Sequence, residues 1–275
     1  MSPEAAHILR DILFLVLAVL AIGLPLHAWV RRRDPASQWH RHGNVWTGPF
    51  HFGDLAACLA LIVTLALLIR PREIEANDAT AIGPADVLVG TAFFVAIVIL
   101  ICAAIRMRRH SIAETFGLAR MGSGTILLHS VLWTVFAVVV ALGSADWWNR
   151  LLESRALTTG EQEMVALLRD SNDFALRLAI AFAAVLIQPV AEEVIFRGYL
   201  HAAIKRYSDA LLASICSAAV FGVLHMSLEA FLPLFLLGLI LSWAYEQTGS
   251  LWIPITIHAL FNATTVVYQT TFAAP

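Results

Sequence analysis

The chain has 275 residues, of which 59% are hydrophobic and only 14% charged. Soluble domains carry about 25% charged residues, so this composition excludes an ordinary soluble domain and indicates a protein surrounded by the lipid bilayer. The net charge of −2 provides no basic surface, and we therefore expect no nucleic-acid partner.

Apolar segments of roughly 17–25 residues predict transmembrane helices. The first such segment runs directly into Arg31, Arg32 and Arg33, which is typical of a spanning helix and not of a cleaved signal peptide. The predicted fold is all-α: a polytopic membrane bundle of about eight transmembrane helices. The predicted helices cover residues 12–30, 54–69, 85–105, 124–142, 173–200, 209–226, 230–246 and 252–270.

The sequence divides into two membrane regions. Residues 1–145 hold the first four predicted helices, to which no role is assigned, and residues 172–270 hold the remaining four. The stretch 146–171 between them is polar, with a weak helical pattern at Met164, Leu167 and Leu168, and we expect it on the outer surface.

Positive charge predicts the orientation, because Lys and Arg concentrate in cytoplasmic loops. An outside N-terminus places ten basic residues inside and six outside. The inside residues are Arg31, Arg32, Arg33, Arg41, Arg106, Arg108, Arg109, Arg120, Lys205 and Arg206. The loops 31–41 and 106–120 are therefore predicted to be cytoplasmic.

Two adjacent acids, Glu192 and Glu193, lie in the fifth predicted helix, where charge is costly and usually functional. Glu193 stands four residues before Arg197, which is the favourable order for a helical ion pair. Glu192 points about 100° away around the helix, and its neighbour four residues on is Phe196. We therefore predict that Glu193 and Arg197 form an orienting pair and that Glu192 is available as a general base.

The last predicted helices carry two further polar sites, His225 in one and His258 with Asn262 in the other. The spacing of four residues puts His258 and Asn262 on one helix face. The chemistry fits amide hydrolysis: Glu192 accepts a proton from water, His225 orients that water, and His258 and Asn262 donate to the developing oxyanion.

Pro189 stands just before the acidic pair. A proline inside a helix removes a backbone donor, which frees the Val185 carbonyl. We therefore expect a kink or an opened turn that admits water beside Glu192; an ordinary packing kink is the alternative.

The polar sites form three motifs: EExxxR at Glu192–Arg197, FxxxH at Phe221–His225 and HxxxN at 258–262. The motifs occur in the order seen in the CPBP (ABI) family. This chain resembles that family from about residue 174 to 268. That family contains CAAX prenyl endopeptidases and bacteriocin-processing, self-immunity and lysostaphin-resistance proteins. The resemblance implies a membrane-embedded endopeptidase of the bacterial plasma membrane, acting on a membrane protein or a lipidated peptide. It assigns the catalytic roles to Glu192, His225, His258 and Asn262.

A zinc-dependent mechanism is the main alternative, since one Glu and two His are a common catalytic zinc set. Glu192, His225 and His258 would be the ligands. The chain has no HExxH motif, and Asn is a poor zinc ligand, so we favour a mechanism without metal and expect no cofactor.

Two other classes are less well supported. A transporter or proton relay also uses intramembrane acids and histidines, but the polar residues here cluster in the C-terminal half and no repeat is visible. A non-catalytic immunity protein would be indicated by a damaged motif, and all three motifs are intact.

Overall fold

The computed structural model describes residues 2–34, 43–69, 83–157 and 163–272, and these residues form helices and connecting turns without a strand. The all-α prediction is confirmed. The helices are α1 (Pro3–Arg33), α2 (Phe52–Leu68), α3 (Pro84–Met107), α4 (Ile112–Thr115), α5 (Ser123–Ser154), α6 (Glu163–Asp170), α7 (Phe174–Phe182), α8 (Gln188–Glu193), α9 (Ala202–Tyr207), α10 (Ala210–Leu224), α11 (Leu228–Thr248) and α12 (Trp252–Thr271).

The length and composition of these helices are those of a multi-pass membrane protein. Five are long and apolar enough to cross a membrane: α1, α3, α5, the continuous helix Phe174–Tyr207 and α11. Two shorter apolar helices, α2 and α10, lie among them. Many of their large apolar side chains are exposed on the outside of the bundle, as expected of a surface that faces lipid.

The helix Phe174–Tyr207, called the central helix below, contains two wide turns. It runs through α7, a π-helical segment Ala183–Ile187, α8, a second π-helical segment Val194–His201, and α9. The first wide turn lies just before Pro189 and confirms the predicted opened turn. Such π-helical turns are rare and often mark functional sites.

The bundle packs around the central helix. It contacts α3, α10, α11 and α12, while α5 packs against α11 and α12, and α1 packs against α2 and α10. A large apolar core extends from α1 and α2 to α10, and a smaller core at Ala137, Leu241 and Ile257 joins α5, α11 and α12. The motif-bearing helices are therefore held from several sides.

Several helices are longer than predicted, and α1 and α5 differ most at their ends. The helix α1 begins at Pro3 because Ser2 accepts a hydrogen bond from the Ala5 N–H as an N-cap. The helix α5 continues to Ser154, because Trp148 reaches the start of α11 and donates to the Leu228 carbonyl at 2.7 Å.

The first part of the polar stretch 146–171 is helical, because it continues α5 to Ser154. The pattern at Met164, Leu167 and Leu168 corresponds to the short helix α6. The central helix also continues beyond residue 200, to Tyr207. Part of the predicted loop 31–41, including Arg41, lies outside the described residues.

Candidate functional site

The Glu193–Arg197 pair is fully buried. Both side chains have an exposed fraction of 0%, and Arg197 Nη1 donates to Glu193 Oε1 at 2.9 Å. Arg197 Nη2 also donates to the Gly238 carbonyl at 3.2 Å. A Cβ on Gly238 would lie 3.2 Å from that Nη2 and 2.9 Å from the Ala218 Cβ. The glycine therefore lets the α11 backbone approach the guanidinium closely enough to bind it.

His258 joins this pair from α12. Its Nδ1 lies 2.9 Å from Glu193 Oε1, and its Nε2 lies 3.8 Å from Glu192 Oε2. An ionised carboxylate only accepts hydrogen bonds. The Nδ1 of His258 therefore carries the proton and donates a hydrogen bond to Glu193. The other ring nitrogen, Nε2, then presents its lone pair on the side of Glu192.

His225 is fixed in the same tautomer by a different acceptor. It ends α10, and its Nδ1 lies 2.8 Å from the Phe221 carbonyl oxygen. A carbonyl only accepts, so Nδ1 is again the protonated nitrogen and Nε2 is free to accept. Both motif histidines are therefore oriented by their Nδ1 atoms.

Phe221 is the aromatic centre of the site. Its ring centroid lies 4.7 Å from that of His225, 5.7 Å from that of His258 and 5.2 Å from that of Phe196. The Arg197 guanidinium carbon lies 4.5 Å from the same centroid, in a cation–π contact. The phenylalanine of the FxxxH motif thus places the two histidines and the arginine around one apolar surface.

Glu192 makes no hydrogen bond to a described residue, whereas Glu193 is bound by Arg197 and His258 through its Oε1. The Glu192 side chain is 14% exposed. Its Oε2 atom is buried and has no hydrogen-bond partner among the described residues. Buried polar atoms are nearly always paired, so an unpaired carboxylate oxygen at 3.8 Å from an imidazole indicates a group arranged for something other than folding.

Asn262 binds the first wide turn of the central helix. Its Nδ2 donates to the Ala184 carbonyl at 2.8 Å. Pro189 predicted a freed carbonyl at Val185. The carbonyl that accepts a side-chain hydrogen bond in the opened turn is instead that of Ala184. The amide nitrogen carries two hydrogens, so one N–H of Asn262 remains to donate elsewhere.

A second buried polar group continues from the site along the central helix. His201 Nε2 lies 2.7 Å from Glu246 Oε1, and Lys205 Nζ donates to Glu246 Oε2 at 2.6 Å. On the central helix, buried polar residues recur every four positions. We call these four residues, Glu193, Arg197, His201 and Lys205, the buried ladder. Sequence reasoning missed this ladder, although the spacing of four is readable in the sequence.

The second wide turn explains how the ladder stays on one face. In an α-helix each step of four residues rotates by about 40° beyond a full turn, which would carry a ladder of three steps about 120° around the axis. The π-helical segment Val194–His201 has more residues per turn and reduces that rotation. Arg197, His201 and Lys205 therefore all contact α11. Glu193, at the start of the ladder, contacts Arg197 and His258 of α12.

The three candidate zinc ligands do not form a compact donor set. Among the residues that the structure describes, no three His, Cys, Asp or Glu side chains are close enough to share a metal ion. The separation of 3.8 Å between His258 and Glu192 suits a bridging water better than direct contact.

Comparisons with known proteins find similarity in this region. Residues 174–264 match the model described as type II CAAX prenyl endopeptidase Rce1-like. The chain is 29% identical over 84 residues to "Putative membrane peptidase YdiL" of Bacillus subtilis, which covers 30% of this chain and 34% of that protein. It is 36% identical over 95 residues to "Membrane-embedded CAAX protease MroQ" of Staphylococcus aureus, covering 32% of this chain and 38% of that protein.

The match thus spans about a third of each curated relative. No solved structure matches the chain. All the motif residues described above, from Glu192 to Asn262, lie within the matched segment. The segment 174–264 of this multi-pass membrane protein is therefore similar to the Rce1-like CAAX prenyl endopeptidase family.

Proposed function

We propose that the protein is an intramembrane endopeptidase in which Glu192 activates a water molecule for attack on a peptide bond. The observation that carries this proposal is the buried Oε2 of Glu192, which has no hydrogen-bond partner among the described residues and lies 3.8 Å from the Nε2 of His258. A general base must lie within reach of the proton that it removes, directly or through one water. Glu192 has this reach toward a water between it and His258.

The residues around Glu192 have separate roles in the proposed reaction. Glu193, held by Arg197, fixes the His258 tautomer, and the Phe221 carbonyl fixes that of His225. The Nε2 of either histidine can then accept the one hydrogen of the attacking water that does not point to Glu192, which orients that water. When Glu192 takes the proton of that water, the hydroxide oxygen bonds to the substrate carbonyl carbon and the carbonyl oxygen becomes an oxyanion.

Asn262 is the proposed oxyanion donor, through the N–H that does not bind Ala184. His258, protonated at Nδ1, has no N–H at Nε2 and therefore is not an oxyanion donor in this tautomer. The proton held by Glu192 then passes to the leaving amine, the C–N bond breaks, and one acid and one amine are formed.

The proposed substrates are membrane proteins or lipidated peptides, with CAAX-type C-terminal processing as the first class to test. This follows from the family of the matched domain and from the name of one relative, a membrane-embedded CAAX protease. The remaining two thirds of the chain carry no such indication.

Zinc hydrolysis with Glu192, His225 and His258 is the second candidate. The free Nε2 atoms of both histidines favour it, because metal-binding histidines are oriented in this way by an acceptor at the other nitrogen. The absence of a compact donor set among the described residues weighs against it.

The test compares the membrane proteomes of cells that express the wild-type protein or Glu192→Gln. We expect new C-termini in the wild-type sample that are absent with Glu192→Gln at equal protein level. Identical termini in both samples would refute the glutamate-base mechanism.

A further inference from the structure

Gln188 lies one helical turn before Glu192 within α8. Residues four apart in an α-helix share a face, so the Gln188 amide lies on the face that presents the Glu192 carboxylate. The two residues follow directly on the first wide turn of the central helix.

Gln188 and Glu192 share a second property. The Oε1 of Gln188 is buried and, within the described part of the chain, has no hydrogen-bond partner, and the same holds for the Oε2 of Glu192. A buried acceptor without a partner costs free energy. Two such atoms one turn apart on one face indicate a surface that binds polar groups of a ligand.

The position of α12 places Gln188 between the other site residues. Asn262 bonds to Ala184, four residues before Gln188, and His258 reaches Glu192 and Glu193, about four residues after it. The two helices therefore run antiparallel, with Gln188 at the level between Asn262 and His258. A peptide that contacts both the oxyanion donor and the base has to pass Gln188.

We propose that Gln188 is a substrate-positioning residue whose Oε1 accepts a hydrogen bond from a backbone N–H of the peptide beside the scissile bond. This inference rests on the proposed endopeptidase function and narrows its substrate. In a transmembrane helix the backbone N–H groups are bonded within the helix, so an acceptor of this kind selects a segment that is extended at the cleavage point.

The experiment uses the purified full chain in lipid nanodiscs and a pool of hydrophobic peptides, with cleavage followed by mass spectrometry. For the peptide cut fastest, ester analogues replace each backbone N–H in turn, except at the scissile bond. The variant Gln188→Met keeps the side-chain length without the amide. Gln269→Met is the matched control, because Gln269 also has a buried, unpartnered Oε1 but lies two turns beyond Asn262 in α12.

We expect one ester analogue to lower kcat/KM of the wild type about tenfold, the factor of a single hydrogen bond. On the parent peptide, Gln188→Met should have a kcat/KM about tenfold below that of the wild type. The same ester analogue should not lower the kcat/KM of Gln188→Met any further, while Gln269→Met should behave as wild type. Wild-type rates for Gln188→Met, or an unchanged response to every ester, would overturn the inference. Failure of the wild type to cut any peptide, or equal cleavage by Glu192→Gln, would instead overturn the proposed function and the inference built on it.

Discussion

Replacing Glu193 by Gln tests whether the buried ion pair supports the fold as well as the site. Arg197 is fully buried, and it contacts Glu193 at 2.9 Å, the Gly238 carbonyl at 3.2 Å, the Phe221 ring at 4.5 Å and the Phe196 ring at 5.9 Å. Only Glu193 supplies a charge opposite to that of the guanidinium in direct contact. Removing one partner of a buried ion pair typically costs about 3–5 kcal/mol.

Expressed as a melting temperature, this cost is about 10 °C, since a chain of this size loses roughly 2–4 °C per kcal/mol. Glu192→Gln is the matched control, because the Oε2 of Glu192 has no described partner and its loss should leave stability near that of the wild type. Both variants should be inactive: Glu192→Gln loses the base, and Glu193→Gln leaves His258 misoriented.

Maleimide labelling of buried thiols during a thermal ramp measures the unfolding. Cys58 and Cys216 are buried, and the partly buried Cys102 is replaced by Ala to lower the background. If Glu193→Gln and Glu192→Gln unfold within about 2 °C of each other, the reasoning that Glu193 compensates the buried charge of Arg197 is wrong.

Three further outcomes are expected. Asn262→Ala should lower kcat by about 10²–10³, the effect of removing one oxyanion donor. A strong chelator should leave the activity of the wild type unchanged. Stoichiometric zinc that is lost and restored together with activity would establish a metalloprotease instead. Gly238→Ala should destabilise by about 1–3 kcal/mol through overpacking, because its Cβ would lie 2.9 Å from the Ala218 Cβ; an unchanged melting temperature would contradict this packing. A single cysteine at position 110 should react with an impermeant maleimide in inverted vesicles only, and labelling in intact cells would reverse the predicted orientation.

The sequence was sufficient to predict the pairing of Glu193 with Arg197, because the pair is a local motif on one long apolar helix. Glu193 and Arg197 are paired as their spacing predicts, and His258 reaches both glutamates from another helix. The opened turn was also predictable, because Pro189 cannot donate a backbone hydrogen bond.

The long-range contacts could not be predicted from the sequence. The bond from Asn262 to Ala184 joins positions separated by 78 residues, and the contact of Lys205 with Glu246 spans 41. Such contacts depend on how helices cross, which hydropathy does not encode. The same reason explains why the central helix was predicted to stop at residue 200: the polar residues beyond it suggested a surface, whereas Glu246 lets them be buried.

The buried ladder has a consequence for how the chain enters the membrane. The central helix carries Arg197 and Lys205, and a basic side chain at the centre of a membrane helix costs roughly 2.5–3.5 kcal/mol on insertion. Their partners on α11, the Gly238 carbonyl and Glu246, each lie 41 residues later in the chain. At about 5–20 residues per second, the ribosome supplies them seconds after the helix that needs them, so we expect the central helix to stay associated with the insertion machinery until α11 arrives. Crosslinking of chains stalled before and after α11 measures this delay.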